Sequence, residues 1–195
     1  MGSMRTILFG FLAIPLAAQS TSFSAGGALV LGLDSYRKAV NNSTGLFLNA
    51  GWDTTVVKSG IPARLSFGVG FMPGKDKDGL KTSLSLYQLA GDVLIETGVP
   101  GLKGVLGLSL NKYTARFSGE ESQAVFDSDH HFPFRDDSGL KGGLRLGLEY
   151  GFSARLSGEV LLQATELAGR ERSDALIRQG AINPSWIQFG ARYRF

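Results

Sequence analysis

The sequence contains no cysteine in its 195 residues, so disulfide bonds and thiolate metal sites are excluded. It also carries little surplus charge, with a formal net charge of only +3. The basic residues are scattered rather than clustered, which argues against a nucleic-acid partner. After the first 18 residues, no apolar run is long enough to form a membrane-spanning helix. If the chain crosses a membrane, it must do so as a closed barrel of strands.

The N-terminus has the pattern of a secretory signal peptide. Arg5 precedes an apolar run from Ile7 to Leu16, and two alanines follow as small residues suited to cleavage. A membrane anchor or a buried helix is the alternative, but the run is short for a span and contains a proline near its end. We therefore predict a signal peptide over residues 1–18 and a single domain over residues 19–195.

The rest of the chain consists largely of segments in which apolar residues alternate with polar or small ones. Residues 140–150 show this best, because four leucines and Tyr150 share one face while Lys141, Arg145 and Glu149 share the other. A helix would spread these charges around its circumference, so the period of two predicts a strand. Eight such segments can be drawn: 22–34, 44–53, 62–72, 81–97, 102–113, 140–150, 154–165 and the C-terminal residues 189–195.

Two places depart from strict alternation. Phe47 falls on the otherwise polar face of the second segment. In the fourth segment, Leu84 and Leu86 share one phase, whereas Tyr87, Leu89 and later apolar residues take the other. We favour the second phase for the membrane part, and we interpret the change as a bulge or as a strand that continues beyond the bilayer.

The connections between these segments alternate in length. Those over 35–43, 73–80, 114–139 and 166–184 are long and polar, and those over 54–61, 98–101 and 151–153 are shorter. Outer-membrane barrels have short periplasmic turns and long external loops, a sorting that a soluble β-sandwich does not need. The pattern predicts an all-β fold, an eight-stranded antiparallel up-and-down transmembrane β-barrel with both termini in the periplasm. A lipocalin-like barrel is the alternative, but its interior would be apolar and its exterior polar.

The last seven residues place aromatic or apolar side chains on one face and basic ones on the other. Phe189, Tyr193 and Phe195 share the first face, and Arg192 and Arg194 share the second. This ending resembles the C-terminal strand of small bacterial outer-membrane β-barrels of the porin-like and OmpA-like group. The resemblance implies that Phe189, Tyr193 and Phe195 form the signal read by the barrel-assembly machinery. It also implies an outer-membrane location and contact with outer-membrane lipid and lipopolysaccharide.

A set of charged residues falls on the face expected to line the lumen. Eight strands enclose a space just wide enough for side chains to fill, so opposite charges there should pair. The favoured interpretation is a plug of ion pairs, and the alternative is a polar path for a small solute. Plausible pairs are Arg145 with Glu159 and Arg155 with Glu149, since segments six and seven form a hairpin. The expected lumen residues are Arg64, Asp92, Glu96, Lys103, Arg145, Glu149, Arg155, Glu159, Arg192 and Arg194.

Few residues suggest chemistry. His130 and His131 beside two aspartates could bind a divalent metal, but adjacent residues in a strand point apart. Outer-membrane lipid A deacylases have a His residue that is followed two positions later by Ser. Neither histidine of this sequence is followed by Ser at that position. We therefore expect no catalytic residue, no metal and no cofactor.

Three functions agree with these sequence features. The first is a non-enzymatic, monomeric barrel whose external loops make surface contacts. The second is a narrow channel or transporter for small, possibly hydrophobic, solutes, whose cavity Val30, Leu94 and Leu161 could line. The third and weakest is an enzyme that modifies lipid A.

Overall fold

The computed structural model describes residues 21–33, 44–55, 60–74, 81–118, 137–165 and 184–195. The predicted signal peptide and the histidine pair lie outside these ranges. Within them, no helix is long and apolar enough to cross a membrane. The strands are β1 (Ser22–Gly32), β2 (Thr44–Thr55), β3 (Pro62–Pro73), β4 (Lys81–Glu96), β5 (Leu102–Ser118), β6 (Asp137–Gly151), β7 (Leu156–Ala164) and β8 (Trp186–Arg194).

The strands form one closed antiparallel barrel in which each strand pairs with its neighbours in sequence. The barrel closes where β1 pairs with β8, with Gly27 opposite Ala191. Closure pairs the edge strands with each other and leaves no open sheet edge. The predicted fold, an all-β, eight-stranded antiparallel up-and-down barrel, is confirmed.

Alternation along each strand separates an apolar exterior from a filled interior. In β3, Leu65, Phe67 and Phe71 point outward and are each about half exposed, whereas Arg64 and Ser66 point inward and are buried. In water, each such exposed side chain would lack the roughly 1.5–3 kcal/mol of stabilising free energy that its burial provides. The exterior is therefore suited to lipid, and the arrangement is the reverse of a lipocalin-like barrel.

In strand β4, the apolar residues change from one face to the other without a bulge. It pairs without interruption with β3 and β5. Leu84 and Leu86 point into the lumen, and they continue the inward face that carries Gln88 and Asp92. Of the two interpretations, the bulge is wrong, and a strand that continues beyond the bilayer agrees with the uninterrupted pairing.

The exterior of β5 changes in the same place. Its outward face is apolar as far as Leu110 and then continues with exposed Lys112 and Arg116, while Tyr113 and Ala115 are buried inside. Strands of 16 and 17 residues exceed the 9–11 needed to cross a bilayer, so β4 and β5 extend past the apolar belt. The long connection predicted over 114–139 is therefore strand at both ends.

The short connection between β6 and β7 is a tight turn. Its backbone is held by N–H groups of Phe152 and Ser153 that donate to the carbonyl oxygen of Leu156, at 2.9 and 3.1 Å. The Ser153 hydroxyl also accepts from the backbone N–H of Leu156 at 3.0 Å. The seventh strand consequently begins at Leu156, two residues later than the alternation predicts.

Candidate functional site in the barrel lumen

The lumen near the short turns holds a ring of four charged side chains. Arg64 on β3 contacts Asp53 at 2.5 Å and Glu149 at 2.7 Å. Arg194 on β8 contacts the same two carboxylates, Asp53 at 3.4 Å and Glu149. Because β3 and β6 are not adjacent, the Arg64–Glu149 pair crosses the lumen. Each charge meets two opposite charges, which offsets the cost of removing it from water.

A second group lies further from the short turns. Arg145 on β6 forms a two-point contact with Asp92 on β4, with N–O distances of 2.8 and 3.2 Å. Arg145 also donates to the side-chain oxygen of Gln88. Gln88 in turn donates to Asn111 at 2.8 Å and to Gln163 at 3.1 Å. All five side chains are buried, and they link β4, β5, β6 and β7.

A third group occupies the side of β7, β8 and β1. Arg192 donates from Nε and Nη2 to one oxygen of Glu159, at 3.3 and 3.2 Å, and from Nη1 to Ser24 at 3.3 Å. The other Glu159 oxygen accepts from Gln188 at 2.9 Å. The Trp186 indole N–H donates to Gln188 at 3.2 Å, and so connects this group to the next layer.

An apolar layer fills the lumen toward the long connections. Phe47 and Trp186 pack against each other with ring centroids 6.0 Å apart, and both are almost fully buried. A smaller cluster of Leu94, Val105 and Leu161 lies beside the polar groups. The larger apolar layer consists of Ala28, Val30, Phe47, Met72, Leu84, Leu86, Tyr113, Ala115 and Trp186.

Glycines on neighbouring strands provide the space that these side chains occupy. A Cβ atom at Gly68 would overlap the ring of Phe47, and one at Gly70 would lie 2.9 Å from it. Gly107 and Gly143 leave room in the same way for Asp92 and Gln163. The interior is thus packed by large residues set opposite glycines, as the limited width of an eight-stranded barrel requires.

Solved structures of similar shape identify the fold. Neisserial surface protein A (NspA) has a TM-score of 0.55 at 12% identity, over 91% of this chain and 99% of that one. Ail, the attachment invasion locus protein of Yersinia pestis, has a TM-score of 0.53 at 12% identity, over 90% and 97%. The N-terminal β-barrel domain of Pseudomonas aeruginosa OprF has a TM-score of 0.52 at 10% identity, over 91% and 99%. No family model and no curated protein matches the sequence.

The chain has the fold of the small outer-membrane β-barrels. The predicted resemblance to that group is therefore confirmed at the level of fold. The three residues of the predicted assembly signal, Phe189, Tyr193 and Phe195, all point outward from β8 and its end. The rings of Tyr193 and Phe195 contact edge to face, with centroids 5.3 Å apart.

Most of the predicted lumen residues lie inside the barrel, and three do not. Glu96 and Lys103 form a pair of 3.1 Å at the exposed end of the β4–β5 hairpin. Arg155 is exposed in the β6–β7 turn, because β7 starts one residue after it. The predicted residues that the structure places inside are Arg64, Asp92, Arg145, Glu149, Glu159, Arg192 and Arg194.

Both predicted ion pairs are wrong. Arg145 contacts Asp92 rather than Glu159, and Glu149 contacts Arg64 and Arg194 rather than Arg155. A hairpin brings only adjacent strands side by side, whereas the side chains of Arg64 and Arg145 reach across the lumen to strands that do not pair with their own. Six further polar side chains of the network are absent from the predicted set, although each shares the inward phase of its strand: Ser24, Asp53, Gln88, Asn111, Gln163 and Gln188.

Proposed function

We propose that the protein is an integral outer-membrane barrel with a closed lumen, which serves a structural or surface-interaction role through its external loops. The observation that carries this proposal is the filling of the lumen by successive layers. Ion pairs occupy the end near the short turns, amides follow, and an apolar layer built on Phe47 and Trp186 comes last. Ions would have to cross both a paired-charge region and an apolar one.

The rival functions have less support. The hydrophobic-solute pathway needed one cavity lined by Val30, Leu94 and Leu161. Leu94 and Leu161 instead pack with Val105, and Val30 belongs to the separate larger layer. The charged lumen residues engage one another in ion pairs, which supports a packing role more than an enzymatic one.

The sorting of connections supports the role of the loops. The strand ends that the short turns join lie at the ion-pair ring, and the strand ends that the long connections join lie at the apolar layer. Barrels of this fold place long loops outside the cell. One protein of the same fold, Ail, has been crystallised with the heparin analogue sucrose octasulfate. A sulfated surface polysaccharide is accordingly a first ligand class to test on intact cells.

Single-channel recording in planar bilayers tests the closed lumen. We expect the refolded wild-type barrel to give no steady current. The double substitution Phe47→Ala and Trp186→Ala removes the bulk of the apolar layer, and adding Arg64→Ala and Arg145→Ala also opens the ion-pair ring and the polar group next to it. The quadruple variant should conduct ions. The matched control truncates two exterior aromatics, Phe67→Ala and Phe189→Ala, and should stay silent.

The outcomes separate the functions clearly. Steady unitary currents from the wild-type protein would overturn the closed lumen and favour a channel. A folded, correctly inserted protein that alters lipid A mass in expressing cells would favour an enzyme. Heat-modified migration on gels establishes that each variant is folded before its current is measured.

A further inference from the structure

An apolar groove crosses the outside of the barrel where β7, β8 and β1 meet. Its floor is a single row of residues paired across the strands, in which Gly27 lies opposite Ala191 and Ala191 lies opposite Gly158. The same row ends in bulky residues, Leu48 on one side and Tyr150 on the other. Three consecutive strands thus present almost no side chain, and the groove has a volume of about 800 Å³.

Bulky side chains form the walls. On one side the next row along the strands carries Leu29, Phe189 and Val160, which are cross-strand neighbours of one another. On the other side the Phe152 ring leans over Gly158 and contacts Tyr150 edge to face, with centroids 5.3 Å apart. Rows on one face of a strand are about 7 Å apart, so a groove one row wide has the width of a single hydrocarbon chain.

The groove rises obliquely from the end of the barrel that carries the short turns. Its lowest residues, Leu102 and Tyr150, lie at the turn-side ends of β5 and β6. Gly158, Ala191 and Gly27 then lie progressively deeper in their strands. With the orientation given under the proposed function, on which this step rests, the groove begins near the periplasmic surface and ends near the middle of the membrane.

A basic side chain stands at the turn-side end of the groove, beyond the row of Leu156 and Tyr193 that borders the floor. Arg155 is exposed in the turn that also carries Phe152, and it donates from Nη1 to the Tyr193 hydroxyl at 3.4 Å. Its place is fixed by the backbone, because its carbonyl oxygen accepts from the Arg194 N–H at 2.8 Å. No carboxylate in the described ranges forms an ion pair with Arg155. An anionic group at the membrane surface would find an available cation there.

We propose that this groove binds one glycerophospholipid of the periplasmic leaflet. One acyl chain lies along Gly27 and Ala191 and against the ring of Phe152, which covers Gly158, and the phosphate contacts Arg155. The charge at the turn-side end and the width of the floor select this occupant. Lipid A is disfavoured because its phosphates lie at the opposite membrane surface, and a second copy of the barrel is disfavoured because the groove admits only one chain.

Native mass spectrometry tests the inference with a defined probe, 1-palmitoyl-2-oleoyl-phosphatidylethanolamine added to the purified, folded barrel in detergent. We expect the wild type to retain one lipid molecule after excess lipid has been stripped. Ala191→Leu fills the floor and should lower the retained fraction at least tenfold. Ala191→Val is a smaller substitution suited to a strand, and it serves if the leucine variant does not fold.

The matched control is Gly91→Leu, on the outside of β4 at the far side of the barrel, where nothing lies within 4 Å of the added Cβ. It should retain lipid as the wild type does. Arg155→Gln should reduce retention several-fold, and Arg155→Lys should preserve most of it.

Equal retention by wild type and Ala191→Leu would overturn the inference. So would preferential retention of lipid A over the phospholipid, or a dimer that Ala191→Leu dissociates. These results are independent of conductance. A wild-type barrel that conducts ions but still loses its lipid on Ala191→Leu would overturn the proposed closed lumen and leave the lipid site standing.

Discussion

Glycine positions in this barrel are set by the side chains on the neighbouring strand. Gly68 faces the lumen beside Phe47, and a methyl group there would overlap the phenyl ring. Gly91 faces the exterior, and a methyl group there would meet nothing within 4 Å. Glycine is therefore required for close packing at position 68. At position 91 no packing contact requires it.

A substitution pair measures this difference. Gly68→Ala should destabilise the barrel by about 1–3 kcal/mol, because the ring of Phe47 must move within a filled lumen. Gly91→Ala should cost nothing or be slightly stabilising, since it restricts the unfolded chain. Urea unfolding in detergent micelles, followed by tryptophan fluorescence, gives both values. In a Phe47→Leu background the cost of Gly68→Ala should fall, and fully additive costs would contradict the packing explanation.

The Arg145–Asp92 pair gives a second test at the scale of residues. Arg145→Met leaves the buried Asp92 carboxylate without its partner and should cost about 3–5 kcal/mol. Adding Asp92→Leu removes the stranded charge and should recover most of that loss. The control is Lys103→Ala, which breaks an exposed pair worth about 0–1 kcal/mol. The same urea experiment gives the free energy of unfolding of each variant. If the double variant is no more stable than Arg145→Met, the explanation by a compensated buried ion pair is wrong.

Individual partners in the lumen could not be predicted from the sequence, although the faces could. Alternation correctly assigned Arg64, Arg145 and Glu149 to the interior. The contact between Arg64 and Glu149 joins residues 85 apart in sequence and on strands that do not pair. Such contacts depend on how far the sheet is staggered when it closes, a property of the whole barrel that no single strand encodes.

At the scale of elements, the far end of β5 explains why the alternation of apolar residues predicted an end at 113, although the strand runs to Ser118. The exterior of β5 becomes polar after Leu110, while its interior becomes apolar at Tyr113 and Ala115. A strand that leaves the bilayer meets water outside, so its pattern reverts to that of a soluble protein. In the sequence, this change of the apolar residues from the outer to the inner face resembles the end of a strand, although the strand itself continues.

The C-terminal element carries the prediction about assembly. Phe195 is 77% exposed, and its contacts are a ring contact with Tyr193 and a backbone N–H bond of 2.9 Å to the carbonyl oxygen of Phe23. Phe195→Ala retains that backbone bond, so the unfolding free energy of the refolded protein should change by less than about 1 kcal/mol. In cells, the amount of heat-modifiable barrel in the outer-membrane fraction should nevertheless drop several-fold.

A second exposed aromatic provides the control for that experiment. Phe152, in the β6–β7 turn, is 65% exposed. Phe152→Ala should leave the cellular yield near that of the wild type. Equal losses from both substitutions would indicate a general requirement for surface aromatics, and would contradict a signal specific to the terminal residue.

At the scale of the molecule, the barrel combines two kinds of interior. Toward the short turns the lumen is polar and ion-paired, and toward the other end it is packed like a soluble core around Phe47 and Trp186. On β5 this apolar interior lies beneath an exterior that carries Lys112 and Arg116, whereas around Phe47 the exterior residues Leu46 and Leu48 are apolar as well. The fold is predictable from sequence because both regions keep the period of two.

The absence of cysteine makes the orientation of the whole barrel directly measurable. Single-cysteine variants can be placed in the β6–β7 turn, as Ser153→Cys, and in the long connection between β5 and β6, as Ser122→Cys. If the long connections face outward, a membrane-impermeant maleimide added to intact cells should label position 122 and leave position 153 unlabelled. Permeabilising the outer membrane should make position 153 react to a similar extent. Labelling of position 153 in intact cells would reverse the orientation, and would move Arg155 and the opening of the lipid groove to the outer surface.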